Sequence, residues 1–263
     1  MKLKDLIKDS IYCTIGYVDE KHLETLEQYI EQNRFLLEKF NKIHIAYNGK
    51  SELVPKAFKI WSNTLKQSRI GGTELPINRG QTYGTMDLDN ECIDYCKGKN
   101  IKYIWKTSSD TIFFPQILDK EIEQADFYYI NGIGVGGLNN YDESYFFPQT
   151  NFYIIKNDID YLNNVYEINE VYKLQQQYPD KRPWELKQGF ESETFLKRAV
   201  ERNNLTKFHL TNEKYFKNIM SVIEKYNIHD SSHKNLIIED PGVCHLQNPG
   251  GLTYTISNLN KHI

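Results

Sequence analysis

Ile101-Lys-Tyr-Ile-Trp-Lys-Thr-Ser-Ser-Asp110, followed directly by Thr111-Ile-Phe-Phe-Pro115, is the stretch on which the reading of this chain turns. Apolar and aromatic residues of strand character run up to two hydroxyls and a carboxylate, and there the pattern stops. Aspartate is a poor strand residue and is seldom buried without a partner. An acid at the end of a strand has two readings. It caps the turn or short helix that follows, or it faces a ligand, because open α/β sheets gather their chemistry at the carboxyl ends of their strands.

Working upstream, Ile11–Ile15 reads as a short strand ending at Gly16. Leu23, Leu26, Ile30, Leu37 and Phe40 then recur at helical spacing, with Asp19 placed to cap the helix. Ile43–Tyr47 is a second strand closed by Asn48-Gly49, and a mixed segment containing Pro55 and Trp61 follows. Glu74–Ile77 reads as a third, short strand, broken by Asn78-Arg79-Gly80 before a helix over Tyr83–Lys97. Strands alternating with helices predict an α/β fold: one Rossmann-like domain with a mostly parallel central sheet flanked by helices. Downstream, Phe127–Ile130 and Asn151–Ile155 read as strands separated by a Gly- and Asn-rich loop, Asn131–Asp142. Helical periodicity returns over Val165–Tyr178, Glu193–Asn203 and Asn212–Tyr226, and a last β-like run, Leu236–Ile238, leads into Asp240-Pro-Gly-Val-Cys-His245. The composition shifts near 130–150, so residues 1–263 are read as one unit with a donor-binding half (1–130) and an acceptor-side half of helices and loops (131–263).

A chain of 263 residues with 40% hydrophobic and 25% charged residues has the composition of a globular domain, with length enough for a large core. A net charge of −3 lacks the basic footprint of a nucleic-acid binder. Met1–Asp9 has no signal-peptide core, and no run approaches the length of a bilayer span. Cys13, Cys92, Cys96 and Cys244 are scattered, and the spacing of Cys92 and Cys96 suits packing on one helix face. A reduced, cytoplasmic protein without an integral membrane segment is the expectation.

Gly132-Ile-Gly134-Val-Gly136-Gly137 satisfies G-x-G-x-x-G after a strand, with Asp158 about twenty residues on. The dinucleotide mechanism needs a helix to start at those glycines, so that its amides face the pyrophosphate. Leu-Asn-Asn-Tyr-Asp-Glu-Ser-Tyr-Phe-Phe-Pro follows instead, without helical period. The reading is a Gly-rich loop beside a pocket.

Three features in order carry chemistry. Asp110 ends the central strand, Glu191-Ser-Glu193 opens a helix after Gly189-Phe190, and His245 stands in Gly242-Val-Cys-His-Leu-Gln-Asn-Pro-Gly-Gly. Each has a structural alternative: acids suit a first helical turn through the helix dipole alone, and a lone histidine is commonly a hydrogen-bonded core residue. Together they suit a nucleoside diphosphate donor. A divalent cation meets the charge of the departing phosphates, Mg²⁺ or Mn²⁺ accepts carboxylate oxygen, and Mn²⁺ accepts imidazole as well. Asp110 and His245 would supply those ligands, and Glu193 or Glu191 a general base for an acceptor hydroxyl.

In this order and context the chain resembles the nucleotide-sugar glycosyltransferases of the GT-A fold. Ile11–Gly16 looks like the first strand, whose end holds the nucleoside, and Asn78-Arg-Gly-Gln-Thr-Tyr-Gly84 is similar to the Asn-x-Gly segment before the metal-binding strand. Tyr103–Asp110 sits where the family carries Asp-x-Asp, Gly189–Arg198 resembles the acidic helix start bearing the base, and His245 matches a late metal-ligating histidine. The departure is Ser108-Ser109-Asp110: the last acid is kept and the first is a serine, which can hydrogen-bond ribose but brings no charge. The resemblance implies a nucleotide-sugar donor and a glycan or other hydroxyl-bearing acceptor; Thr14, Tyr17, Tyr47, Asn48, Arg79 and Gly80, which fall at strand ends and in the phosphate-facing turn, are candidate donor contacts along with Ser108 and Ser109. Arg79 or Lys106 would neutralise phosphate if the metal were dispensable, and Trp184 offers a flat platform for a sugar.

Two other functions compete. A sugar-phosphate nucleotidyltransferase would need a Gly-rich basic loop after the first strand, where this chain has Gly16-Tyr-Val-Asp-Glu20. A non-catalytic nucleotide- or carbohydrate-binding protein on the same scaffold is compatible with the missing first acid.

Overall fold

A computed structural model describes residues 1–65, 70–74, 81–131, 146–158, 165–181, 186, 192–210, 236–240 and 243–246; for 81–83, 131, 165–168 and the last two segments it describes the backbone alone. A 3-10 turn, Leu3–Asp9, leads into β1 (Ser10–Val18). Then come α1 (Glu20–Leu37), β2 (Ile43–Gly49), α2 (Val54–Leu65), β3 (Ile70–Glu74), α3 (Gln81–Cys96) and β4 (Tyr103–Ser108). After β5 (Thr111–Phe113) and a 3-10 turn, Pro115–Asp119, follow β6 (Phe127–Asn131), β7 (Pro148–Lys156), α4 (Val165–Gln177), α5 (Ser192–Arg202), β8 (Lys207–His209), β9 (Leu236–Asp240) and β10 (Val243–Leu246).

Seven strands form one mixed, mostly parallel sheet in the order β3-β2-β1-β4-β7-β6-β8. β3, β2, β1 and β4 run parallel, β7 is antiparallel to both β4 and β6, and β8 runs parallel to β6. The predicted α/β architecture is therefore the one observed. The central strands read as near-continuous apolar runs because helices cover both faces. Tyr12, Tyr47, Trp61 and Trp105 pack with α1 and α2 on one side, and Ile11, Cys13, Ile15 and Ile104 with α3 and α5 on the other. Cys92 and Cys96 lie buried in that second core with Cys13, a packing role as their spacing suggested. Among the described residues no helix is long and apolar enough to cross a membrane.

Asp19 caps α1 as expected, its Oδ1 accepting from the His22 amide at 2.8 Å. Three elements differ from the sequence reading. The segment with Pro55 is a helix, because a proline in the first turn forgoes only an amide that would have no helical partner. The third strand spans Ile70–Glu74, and of the expected Glu74–Ile77 only Glu74 is among the described residues. Two glycines weaken its strand signal, but the fold needs Gly72, where any Cβ would overlap the Phe58 ring. Finally, His245 sits within a strand rather than after the last one: β10 is the middle of a second, antiparallel sheet, β5-β10-β9.

Candidate functional site

The chain turns at Ser109–Asp110 between β4 and β5, and this turn is held from four sides. From β1, the Ile15 carbonyl accepts the Ser109 amide at 2.8 Å. The Ser109 hydroxyl occupies the space that a Cβ on Gly16 would claim. From β7, the Asn151 carbonyl accepts from Thr111 Oγ1 at 3.2 Å. From β10, the antiparallel register sets His245 opposite Thr111, the residue after Asp110.

The fourth side is α1, whose buried face carries a polar stripe. Asn33 donates from Nδ2 to the Thr111 carbonyl at 3.0 Å and accepts the Phe113 amide at 2.9 Å, so one side chain serves β5 as a neighbouring strand would. The Tyr29 hydroxyl reaches the Ser108 carbonyl at 3.5 Å. His22 lies between two hydroxyls, 3.4 Å from Ser109 Oγ through Nδ1 and 3.4 Å from the Tyr47 hydroxyl through Nε2. Burial pushes its pKa down to about 4, against the opposing pull of the Asp110 and Asp19 carboxylates. At neutral pH this imidazole is uncharged, with one nitrogen donating and the other accepting.

Ser108, Ser109 and Asp110 are half-buried at this turn, and Tyr17 is exposed at the end of β1. Thr14, Tyr47 and Asn48, expected among the donor contacts, are closed off from solvent instead. Thr14 faces into the sheet core. Tyr47 spends its hydroxyl on the Trp61 indole N–H at 2.8 Å, and burial raises its pKa strongly. Lying at a strand end is not enough when the pleat aims a side chain under a helix. Arg79, Gly80, Glu191, Trp184 and the Gly132–Gly137 motif lie outside the described residues, as does the helix expected over Asn212–Tyr226.

Glu193, in the first turn of α5, is half-buried, and both of its carboxylate oxygens accept hydrogen bonds: Oε1 from Thr150 Oγ1 at 2.8 Å and Oε2 from Ser192 Oγ at 3.1 Å. Thr150 adjoins Asn151, whose carbonyl holds Thr111. Glu193 is thus tied to Thr150 and Thr111 to the adjoining Asn151, while the backbone of His245 pairs with Thr111 in the register of β10. Lys106 cannot meet a phosphate. It is fully buried on the α3 side of the sheet, 3.1 Å from Asp89 and donating to the Thr150 carbonyl.

Sequence reading missed His22, Tyr29, Asn33 and Thr150. For the first three a signal existed: with Leu26, Ile30, Leu36 and Leu37 they form the buried face of α1, and polar residues at such positions must find partners. Among the described residues no group of three or more His, Cys, Asp or Glu side chains gathers as a metal centre. No protein-family model matches the chain, and no curated protein matches it.

Proposed function

We propose that this protein is a glycosyltransferase that moves a sugar from a nucleoside diphosphate donor to an acceptor hydroxyl. The observation that supports the reading is the register of β10, in which the backbone of His245 pairs with Thr111, the residue after Asp110, just beyond the carboxyl end of the central strand β4. That edge of an open α/β sheet is where ligands bind.

One carboxylate and one imidazole form a donor set that fits Mn²⁺ better than Mg²⁺. Asp110 and His245 would hold the ion, whose charge would stabilise the departing diphosphate. With Lys106 committed to Asp89, that charge is not met from within the strand. Ser108 and Ser109, neutral and half-buried, suit hydrogen bonds to ribose or phosphate oxygen. Glu193 takes the proton from the acceptor hydroxyl as its oxygen attacks the anomeric carbon and the bond from that carbon to the diphosphate breaks. Base, attacking oxygen and leaving group are then each accounted for.

A panel of nucleotide sugars with and without Mn²⁺, followed by thermal unfolding, tests the reading. A donor present at a hundred times its Kd adds about 2.7 kcal/mol, or roughly 5–10 °C for a domain of this size. The shift should depend on Mn²⁺ and vanish in Asp110→Asn, along with donor hydrolysis and transfer. Unchanged hydrolysis and transfer in that variant would remove the proposal. The serine in place of the first acid favours a second reading, a non-catalytic binding protein, which predicts stabilisation by donor without turnover under any metal and without dependence on Glu193.

A further inference from the structure

The buried pair of Lys106 and Asp89 is linked to the proposed base through one residue, Thr150. Their side chains are 1% and 4% exposed and 3.1 Å apart, and the Tyr153 hydroxyl donates to Asp89 Oδ2 at 3.1 Å. A pair so buried is seldom a net gain in stability, because desolvating two charges offsets most of their attraction. What it does here is geometric. Lys106 stands on β4, Asp89 on α3, and the same ammonium group donates to the carbonyl of Thr150 near the start of β7. Three elements are locked at one residue.

Thr150 turns this anchor toward the site. Its hydroxyl donates to Glu193 Oε1 at 2.8 Å and lies 3.2 Å from Ser192 Oγ, which in turn is 3.1 Å from Glu193 Oε2. Each carboxylate oxygen has two acceptor positions, so one donor apiece fixes the plane of the carboxylate and leaves a lone pair on each oxygen for an incoming hydroxyl. A helix cap would need no such anchoring, because Ser192 already belongs to α5 and shares the first turn with Glu193.

We infer that Thr150 is a positioning residue for Glu193, and that the buried Lys106–Asp89 pair exists to hold Thr150 in place. The inference rests on the reading of Glu193 as the base, but its geometric content stands independently of turnover. Thr150→Val keeps shape and removes the donor; Thr150→Ser keeps the donor. A misplacement of about 1 Å at a reacting group can cost on the order of 10²-fold in rate, so Thr150→Val should lower kcat by roughly that factor with KM unchanged, and Thr150→Ser should restore it.

In a Glu193→Gln background, Thr150→Val should cost nothing further, since there is no base left to orient. If Thr150→Val costs the same factor in both backgrounds, or leaves kcat intact while Glu193→Gln abolishes transfer, the positioning role is overturned and the base stands. If Glu193→Gln leaves transfer intact, the base reading falls and the inference with it. Crystal structures of the two Thr150 variants decide the geometry without any turnover: the Glu193 carboxylate should move by about 1 Å in Thr150→Val and stay in Thr150→Ser, and an unmoved carboxylate in Thr150→Val overturns the inference. For the anchor, Lys106→Met combined with Asp89→Leu removes both charges, leaves none uncompensated and should fold. Full kcat in that double variant would overturn the anchoring role.

Discussion

Replacing Gly16 by alanine is expected to destabilise the protein through Ser109 and through little else. The backbone at Gly16 is not in the left-handed region, where only Gly49 and Gly98 lie among the described glycines, so alanine is compatible with the chain itself. By restricting the unfolded state it would even contribute about 0.4–1 kcal/mol of stability. The new methyl, however, would overlap the Ser109 hydroxyl and lie 3.0 Å from Tyr47 Cε1 and 3.2 Å from Ser109 Cβ. Relieving such overpacking costs about 1–3 kcal/mol, because Ser109 must rotate and give up its approach to His22. The net expectation is a loss of about 1–2 kcal/mol, or roughly 2–8 °C in Tm at about 2–4 °C per kcal/mol for a domain of this size. Removing the obstacle should remove the penalty. In a Ser109→Ala background the overlap is gone and the nearest contacts left are the tight ones at 3.0 Å and 3.2 Å, so Gly16→Ala should cost no more than about 0.5 kcal/mol. Urea denaturation of the four proteins completes a double-mutant cycle, with an expected coupling of about 1–2 kcal/mol. Equal losses in the two backgrounds, agreeing to within about 0.5 kcal/mol, would refute the close packing of β1 against the Ser109–Asp110 turn.

Asn33→Ala should cost about 2–5 kcal/mol by urea denaturation, since it orphans a buried amide at Phe113 and a buried carbonyl at Thr111; a loss below about 1 kcal/mol would mean that β5 is held by other means. Acid should weaken the fold through two buried histidines. Burial holds His22 and His44 down to about 4, with Asp110 and Asp19 opposing at His22 and Lys99 reinforcing at His44. Their contribution is therefore complete above the unfolded-state value of 6.5 and is lost as the pH falls from there toward about 4. Between pH 6.5 and 5 each histidine should remove about 1–2 kcal/mol, with protons taken up on unfolding. His44→Gln should flatten this slope, and a slope identical to that of the unmodified protein would count against the prediction.

The sequence alone determined the layering. Apolar runs of strand length alternating with amphipathic helices bury their faces in few ways, and β1, α1, β2, α3, β4 and the cap at Asp19 were all legible because hydrophobic period and capping chemistry are local properties. It also determined that Asp110 ends a central strand. The exceptions were elements whose local signals contradict their surroundings: α2 with a proline in its first turn, β3 with two glycines, and β10 in a segment read as following the last strand. Each is selected by a partner distant in sequence, as Phe58 selects Gly72 in β3.

Only the tertiary structure decided which polar residues face one another. The same strand-end logic nominated Thr14, Tyr47 and Asn48, which are buried, and the need for a phosphate counter-charge nominated Lys106, which a carboxylate on α3 claims. It passed over His22, Tyr29, Asn33 and Thr150, whose roles exist only once α1 lies under the turn after β4 and β7 lies beside it. Whether a buried polar side chain is a ligand contact or a brace depends on what is within hydrogen-bonding reach across space, and no spacing along the chain carries that information. That is why Asp110 could be singled out from the sequence, while what holds it, and what stands beside it, had to wait for the fold.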